Sequence, residues 1–233
     1  DKLQWVCQNI HLGKDQLWDE LMEFPSIQFG VEMAFLSLQS KSLFELFPSE
    51  FTEGKKNMLI NGLVWMGEEQ FMKTQIEEKL AQGFSCIKLK IGAIDFEKEL
   101  GLLRFIRQNF DAKTIEIRVD ANGAFNSNEA LSKLNQLNEF ELHSIEQPIR
   151  ANQIQEMKLL CQQTPFPIAL DEELIGVFGI EKKRKLLEEI QQQYIILKPS
   201  LVGGFKGTLE WISIAESLNI GWWITSALES NIG

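Results

Sequence analysis

Five charged residues close five apolar runs, and their types could remove a proton beside a bound cation. The runs are SCIKLKIG with Lys90, IEIRVD with Asp120, HSIE with Glu146, FPIALD with Asp171 and YIILK with Lys198. Counted from Lys90, the steps are 30, 26, 25 and 27 residues, close to the length of one strand-plus-helix unit. Side chains alternate along a strand, so Lys88 and Lys90 share one face while Ile87, Leu89 and Ile91 take the other. Three carboxylates in one place repel unless a hard cation holds them, and oxygen donors with room for water suit Mg²⁺, with Mn²⁺ as an alternative. A cation on a substrate carboxylate acidifies the hydrogen on the adjacent carbon, and a neutral lysine can then take it. Burial and neighbouring positive charge lower a lysine's pKa toward that task. Taken singly, each signal is ordinary: edge lysines commonly face water, DANG is a turn sequence, and IEQP is a strand end before proline. Their regular recurrence at the same end of successive strands is what points to chemistry.

The elements that must position these residues follow from periodicity. Residues 1–24 have helical apolar spacing, and Pro25-Ser26 reads as a helix start with Ser26 as N-cap before IQFGVEMAFLSLQ. PSEFTEGKKN, residues 48–57, is the best linker, and the expected division is a helical part over 1–52 and a strand-helix part over 53–233. Within the second part, strands are expected at 58–65, around the KLK motif, and at 115–120, 142–146, 167–171, 194–198 and 221–228. Helices should fill the gaps between them. Seven strands alternating with six helices argue for parallel pairing. The fold class is therefore α/β, a (β/α)8-type barrel with seven strands readable and the chain stopping where the eighth unit would begin. An open doubly wound sheet is the alternative, but MLINGLVWMGEE carries no GxGxxG after the first strand.

Composition narrows the function classes. Lys and Arg number 23 against 33 Asp and Glu, a net charge of −10 without a basic cluster, which argues against nucleic acid and anionic membrane as partners. No apolar run approaches the roughly 20 residues of a membrane span, and no signal peptide opens the chain, so a cytoplasmic location is expected. Cys7, Cys86 and Cys161 are odd in number and lack CxxC spacing, which disfavours a disulfide framework or a zinc site. His11 and His143 are the only histidines, and His143 is expected to pack rather than to catalyse. The expected partner is a small-molecule carboxylate.

KLK, VDANGA, EQP, ALDE and LKPS together resemble the enolase superfamily in its muconate-lactonising branch, over roughly Pro25 to the end. The resemblance implies that 1–52 is the C-terminal part of a capping domain. It implies Asp120, Glu146 and Asp171 as Mg²⁺ ligands and Lys90 and Lys198 as a catalytic pair on opposite faces of the substrate. Lys88 becomes a neighbour that lowers the pKa of Lys90, and Asn122 a support at the metal site. INGLV, KPSLVGG and TSALESNIG are similar to the o-succinylbenzoate synthase family of that branch, which implies syn-dehydration of a succinyl-bearing hydroxycyclohexadiene carboxylate in menaquinone synthesis. Ser200, Gly203, Gly204 and Ser226 would then contact the succinyl carboxylate through hydroxyls and backbone amides. Arg118 shares a strand face with Asp120 and would either reach the pocket or pair structurally. Two alternatives stand beside this reading: a dipeptide epimerase or N-acylamino acid racemase using both lysines as bases, and a non-catalytic barrel that only binds.

Overall fold

The computed structural model describes residues 1–41 and 45–229. Helices α1 (Lys2–Asn9), α2 (Gly13–Glu20) and α3 (Pro25–Gln39) open the chain, with a 3₁₀ turn at Ile10–Leu12. From there the order is β1 (Gly62–Val64), α4 (Glu69–Ala81), β2 (Cys86–Lys90), α5 (Phe96–Asn109), β3 (Glu116–Asp120), α6 (Ser127–Leu137), β4 (Ser144–Glu146) and α7 (Ile154–Gln163). It ends with β5 (Ile168–Leu170), α8 (Ile180–Ile190), β6 (Tyr194–Leu197), α9 (Pro199–Val202), α10 (Gly204–Ser217) and β7 (Gly221–Ile224). The strands run in chain order, β1 to β7, in one sheet, and neighbouring strands from β1 to β6 pair in parallel. The α/β class with parallel strands is thus as expected, because each return to the same sheet direction needs a helix.

Three local expectations shift. The first strand is much shorter than 58–65, and Met58, Leu59 and Ile60 lie exposed ahead of it. Helix α3 starts two residues earlier than a Ser26 cap would place it, with Phe24 at the cap position. Pro25 occupies the first turn, where its missing N–H costs nothing, and the Ser26 hydroxyl donates to the Ser200 carbonyl at 2.8 Å. The last strand stops at Ile224, leaving TSAL outside it.

Two compact units divide the described chain: Leu59–Glu173 with Leu186–Ile195, and Asp1–Met58 with Leu174–Lys185 and Ile196 onward. In the first, alternation along the strands separates apolar from charged faces. Ile87, Leu89, Ile117 and Val119 are fully buried and aligned in register, Ile87 opposite Ile117 and Leu89 opposite Val119. Leu100, Leu103 and Ile106 of α5 and Leu134 and Leu137 of α6 are buried in the same unit. Side-chain caps start these two helices, with Asp95 Oδ1 accepting from the Glu97 N–H at 3.1 Å and Asn126 Oδ1 from the Asn128 N–H at 3.0 Å.

In the second unit, Val6, Leu17, Leu21 and Val31 form a core among α1, α2 and α3. Trp18 Nε1 donates to the Gly203 carbonyl at 3.0 Å, and Gln28 Nε2 to the Trp18 carbonyl at 2.7 Å. Among the described residues no helix is long and apolar enough to cross a membrane, and Cys7, Cys86 and Cys161 are free thiols. His143 packs against Tyr194, with ring centroids 5.1 Å apart.

Candidate active site

Parallel pairing delivers the charged residues to one strand end. Lys90 lies opposite Asp120, and Asp120 opposite Glu146, in register. The ladder continues past the strands: the Ala121 N–H donates to the Glu146 carbonyl at 3.0 Å, Gly123 to Gln147 at 2.7 Å, and Gln147 to Ala169 at 2.9 Å. The backbone at Asp120 and Glu146 is therefore tied to the neighbouring strands. Asn122 and Gln147, next to these residues, both have positive φ, 42° and 39°. Non-glycine residues hold that conformation only where surrounding bonds over-determine it.

The side chains engage one another directly. Lys88 Nζ bonds Glu146 Oε2 and lies 2.9 Å from Asp120 Oδ2, while Lys90 Nζ lies 2.5 Å from the same Asp120 oxygen and 2.7 Å from Asn122 Oδ1. Asp120 is 0% and Glu146 3% exposed, and the lysines are nearly as enclosed, at 11% and 13%. Burial opposes the charge on Asp120, yet Lys88 and Lys90 outweigh it and hold its pKa below the usual range. Burial likewise opposes the charge of Lys88, and Glu146 and Asp120 outweigh it, so that ammonium is held more firmly than usual. Glu146 goes the other way: burial first, then Asp120 and Asp171, push its pKa well up despite Lys88.

The two partners of the Lys88–Glu146 pair thus pull apart, and the charge count says why. Glu146 is buried and has two carboxylates, Asp120 and Asp171, against one ammonium, Lys88, among its charged neighbours. Glu146 Oε1 is a buried atom with no donor among the described residues. A neighbouring carboxylate can only accept. What this oxygen lacks is a proton or a cation. As they stand, no three or more His, Cys, Asp or Glu side chains among the described residues are gathered to hold a metal; the lysines occupy the inner carboxylate oxygens instead. The donor set of hard oxygens with one orphaned atom nevertheless suits a hard divalent cation.

Sequence reasoning missed the residues that hold this cluster in place. Gln147 is wholly buried and uses its whole amide: Oε1 accepts from the Asp171 and Glu173 N–H groups at 3.2 Å each, and Nε2 donates to the Ile149 carbonyl at 3.0 Å and to Glu173 Oε2 at 3.2 Å. Gln147→Leu strands two backbone donors and should lower stability by about 3 kcal/mol in urea unfolding. Glu99 of α5 does similar service after β2, with Oε1 accepting from the N–H groups of Gly92, Ala93 and Ile94 at 2.7, 3.3 and 3.4 Å. Glu172, beside Asp171, accepts from Asn122 Nδ2 at 2.8 Å. Arg118 Nε lies 2.7 Å from Glu116 Oε1, the same-face neighbour two residues back.

In the other unit, Lys198 follows β6 and opens α9, its carbonyl accepting from the Leu201 and Val202 N–H groups. Ser200 and Ser226 both donate to one carboxylate, Glu229, at 2.5 and 2.8 Å. Residues 230–233 of the TSALESNIG motif lie outside the described residues. Gly203 and Gly204 have φ of 101° and 70°, and their loop backs onto α3. The amides at the start of α10 are already taken by Glu32, which accepts from Phe205 at 2.5 Å and Lys206 at 3.1 Å. An internal carboxylate thus sits where a helix start would otherwise receive a substrate anion. A Cβ on Gly204 would lie 2.0 Å from Glu32 Oε2. Gly204→Ala should cost about 2 kcal/mol or more by adding that clash to a left-handed backbone, measurable as a lowered Tm.

Residues 72–233 match the family described as Enolase C-terminal domain-like. The chain is 56% identical over 210 residues to the o-succinylbenzoate synthase of Desulfotalea psychrophila, covering 90% of this chain and 57% of that protein. The crystal structure of MenC from Desulfotalea psychrophila superimposes with a TM-score of 0.84 at 55% identity, over 90% of this chain and 58% of that one. The N-succinylamino acid racemase of Thermus thermophilus is 31% identical over 213 residues, 90% of this chain and 54% of that protein. The chain spans just over half the length of these relatives. On the strength of a match covering most of its length, and of parallel strands ending in this set of charges, the chain belongs to the enolase C-terminal domain-like family.

Proposed function

We propose that this chain forms the catalytic part of an o-succinylbenzoate synthase-type lyase, which dehydrates a succinyl-bearing hydroxycyclohexadiene carboxylate to o-succinylbenzoate in menaquinone synthesis. The observation that carries this reading is the 56% identity to the Desulfotalea psychrophila synthase across 90% of the chain, well above the 31% to the racemase. Asp120, Glu146 and Asp171 would hold Mg²⁺, or Mn²⁺, and the orphaned Glu146 oxygen supports that assignment. When bound, the ion supplies Lewis acidity to the substrate carboxylate.

The chain's own residues supply the proton movements. Lys90 Nζ, neutral at the start, takes the proton from the carbon next to the carboxylate, and its free pair becomes an N–H bond. The ring C–O bond then breaks, and the Lys90 ammonium returns that proton to the departing hydroxyl on the same face, so water leaves and the ring becomes aromatic. Lys198 acts as a fixed cation for the negative charge that develops between the two steps. Asn122 accepts from the Lys90 ammonium at 2.7 Å and so orients it. Residues 1–52 are read as the C-terminal part of a capping domain. The protein is read as cytoplasmic, with a small-molecule carboxylate as its partner.

A second reading is favoured by the racemase relative: exchange at the α-carbon of an N-succinyl amino acid, which keeps the succinyl arm and the base but breaks no C–O bond. Incubation of the protein with N-succinyl amino acids in D₂O separates the two. The proposal expects α-deuterium to enter far more slowly than the cyclohexadiene loses water; the opposite order would assign the protein to the racemases.

A further inference from the structure

Lys90, Asn122 and Glu172 form a chain of hydrogen bonds at the strand ends of β2, β3 and β5. Lys90 Nζ donates to Asn122 Oδ1 at 2.7 Å, and Asn122 Nδ2 donates to Glu172 Oε1 at 2.8 Å. The Asn122 N–H also donates to Asp120 Oδ1 at 3.0 Å, and the residue sits at a φ of 42°. The orientation of this amide is set from both ends, because an ammonium can only donate and a carboxylate can only accept. Turned over, the amide would present its NH₂ to the ammonium and its carbonyl to the carboxylate, two repulsions in place of two bonds. Glu172 is half-buried and its other oxygen, Oε2, is an enclosed atom without a donor among the described residues. This carboxylate therefore has one described bond, and that bond is to Asn122.

We infer that Glu172 is a positioning residue for proton transfer, acting through Asn122 to hold the Lys90 amine in its attacking orientation. The inference rests on the assignment of Lys90 as the base. Lys90 sits on a long flexible stem, and two acceptors on one side, Asp120 and Asn122, leave the remaining N–H direction aimed away from both. Without Glu172 the Asn122 amide is held from the Lys90 end alone, and one of the amine's two bearings is no longer fixed. Misplacing a reacting atom in this way lowers the rate more than it lowers substrate affinity.

The test uses the protein at its full natural length, with turnover and side-chain amide NMR read in parallel. Glu172→Ala should lower kcat about tenfold while KM stays within about twofold. Glu172→Gln keeps an acceptor at the same place and should recover most of the rate. Asn122→Ala should cost about as much as Glu172→Ala, and the double variant little more than either alone. In the metal-free protein, the Asn122 NH₂ signals should shift in Glu172→Ala and stay near their parent positions in Glu172→Gln. An unchanged kcat in Glu172→Ala, or losses that multiply in the double variant, would overturn the inference. Should the parent fail to dehydrate the cyclohexadiene at all, the functional assignment falls, and the NMR arm still decides the contact: Asn122 signals identical in parent and Glu172→Ala overturn it.

Discussion

Lys90→Arg is expected to lower dehydration by about three orders of magnitude while leaving the fold and substrate binding nearly intact. Arginine keeps the positive charge and can still reach Asp120, which Lys90 meets at 2.5 Å. It cannot release its proton at any working pH, and the reaction needs that group to cycle between neutral and charged. Lys198 has only to remain positive. Lys198→Arg is accordingly expected to keep measurable turnover and Lys198→Ala to lose it. Steady-state kcat and KM for the three variants, with circular dichroism as a fold control, check the contrast. A racemase, which needs both lysines as proton carriers, would be disabled by either arginine.

Glu146→Gln and Asp120→Asn should each nearly abolish turnover and remove the rise in Tm expected of the parent with Mg²⁺, yet shift metal-free stability in opposite directions. The folded-state pKa of Glu146 lies above its ordinary value of 4.5, chiefly through burial and then through Asp120 and Asp171. Between the unfolded and folded values the native state binds more protons than the unfolded chain, so this group's contribution to stability falls as pH rises through that window. Replacing it with a neutral amide removes the penalty. Metal-free Glu146→Gln should be about 1 kcal/mol more stable than the metal-free parent at pH 8, with a flatter pH profile.

Asp120 has the reverse sign. Its pKa is depressed because Lys88 and Lys90 outweigh its burial, so its contribution is present above the ordinary value of 3.8 and is lost as pH falls through the folded value. Asp120→Asn leaves two enclosed ammonium groups short of a counter-charge and should cost about 3 kcal/mol near neutral pH. Urea unfolding of both variants without metal, at pH 5 and pH 8, separates the two signs. Equal shifts in the same direction would contradict the charge balance described for this cluster.

Much of the cluster could be read from the chain because two rules act together: strands alternate faces, and parallel strands joined by helices start again at the same end. Those rules align Lys90, Asp120 and Glu146 without any knowledge of their distances. They do not say which oxygen a lysine prefers: Lys88 bridges Glu146 and Asp120 and shares Asp120 Oδ2 with Lys90. Glu116 pairing with Arg118 was within reach of the same alternation, since the two lie two residues apart on one strand. Gln147 and Glu172 were not, because their partners come from neighbouring strand ends and nothing in EQP or ALDE marks an amide or carboxylate as bound. Glu32 and Glu229 were hidden for the same reason: Glu32 lies 173 residues from the Phe205 amide it engages, and Glu229 lies 29 from Ser200. Local pattern reports faces and ends; the identity of a long-range partner needs the folded backbone.

The most direct measurement is to incubate the full-length protein with Mg²⁺ and the succinyl-bearing hydroxycyclohexadiene carboxylate and follow the ultraviolet spectrum. Loss of the diene absorption with stoichiometric appearance of o-succinylbenzoate, abolished by Lys90→Arg and by chelator, is the result expected. An unchanged spectrum from a folded, Mg²⁺-loaded protein, or aromatic product at the parent rate from Lys90→Arg, would contradict the account.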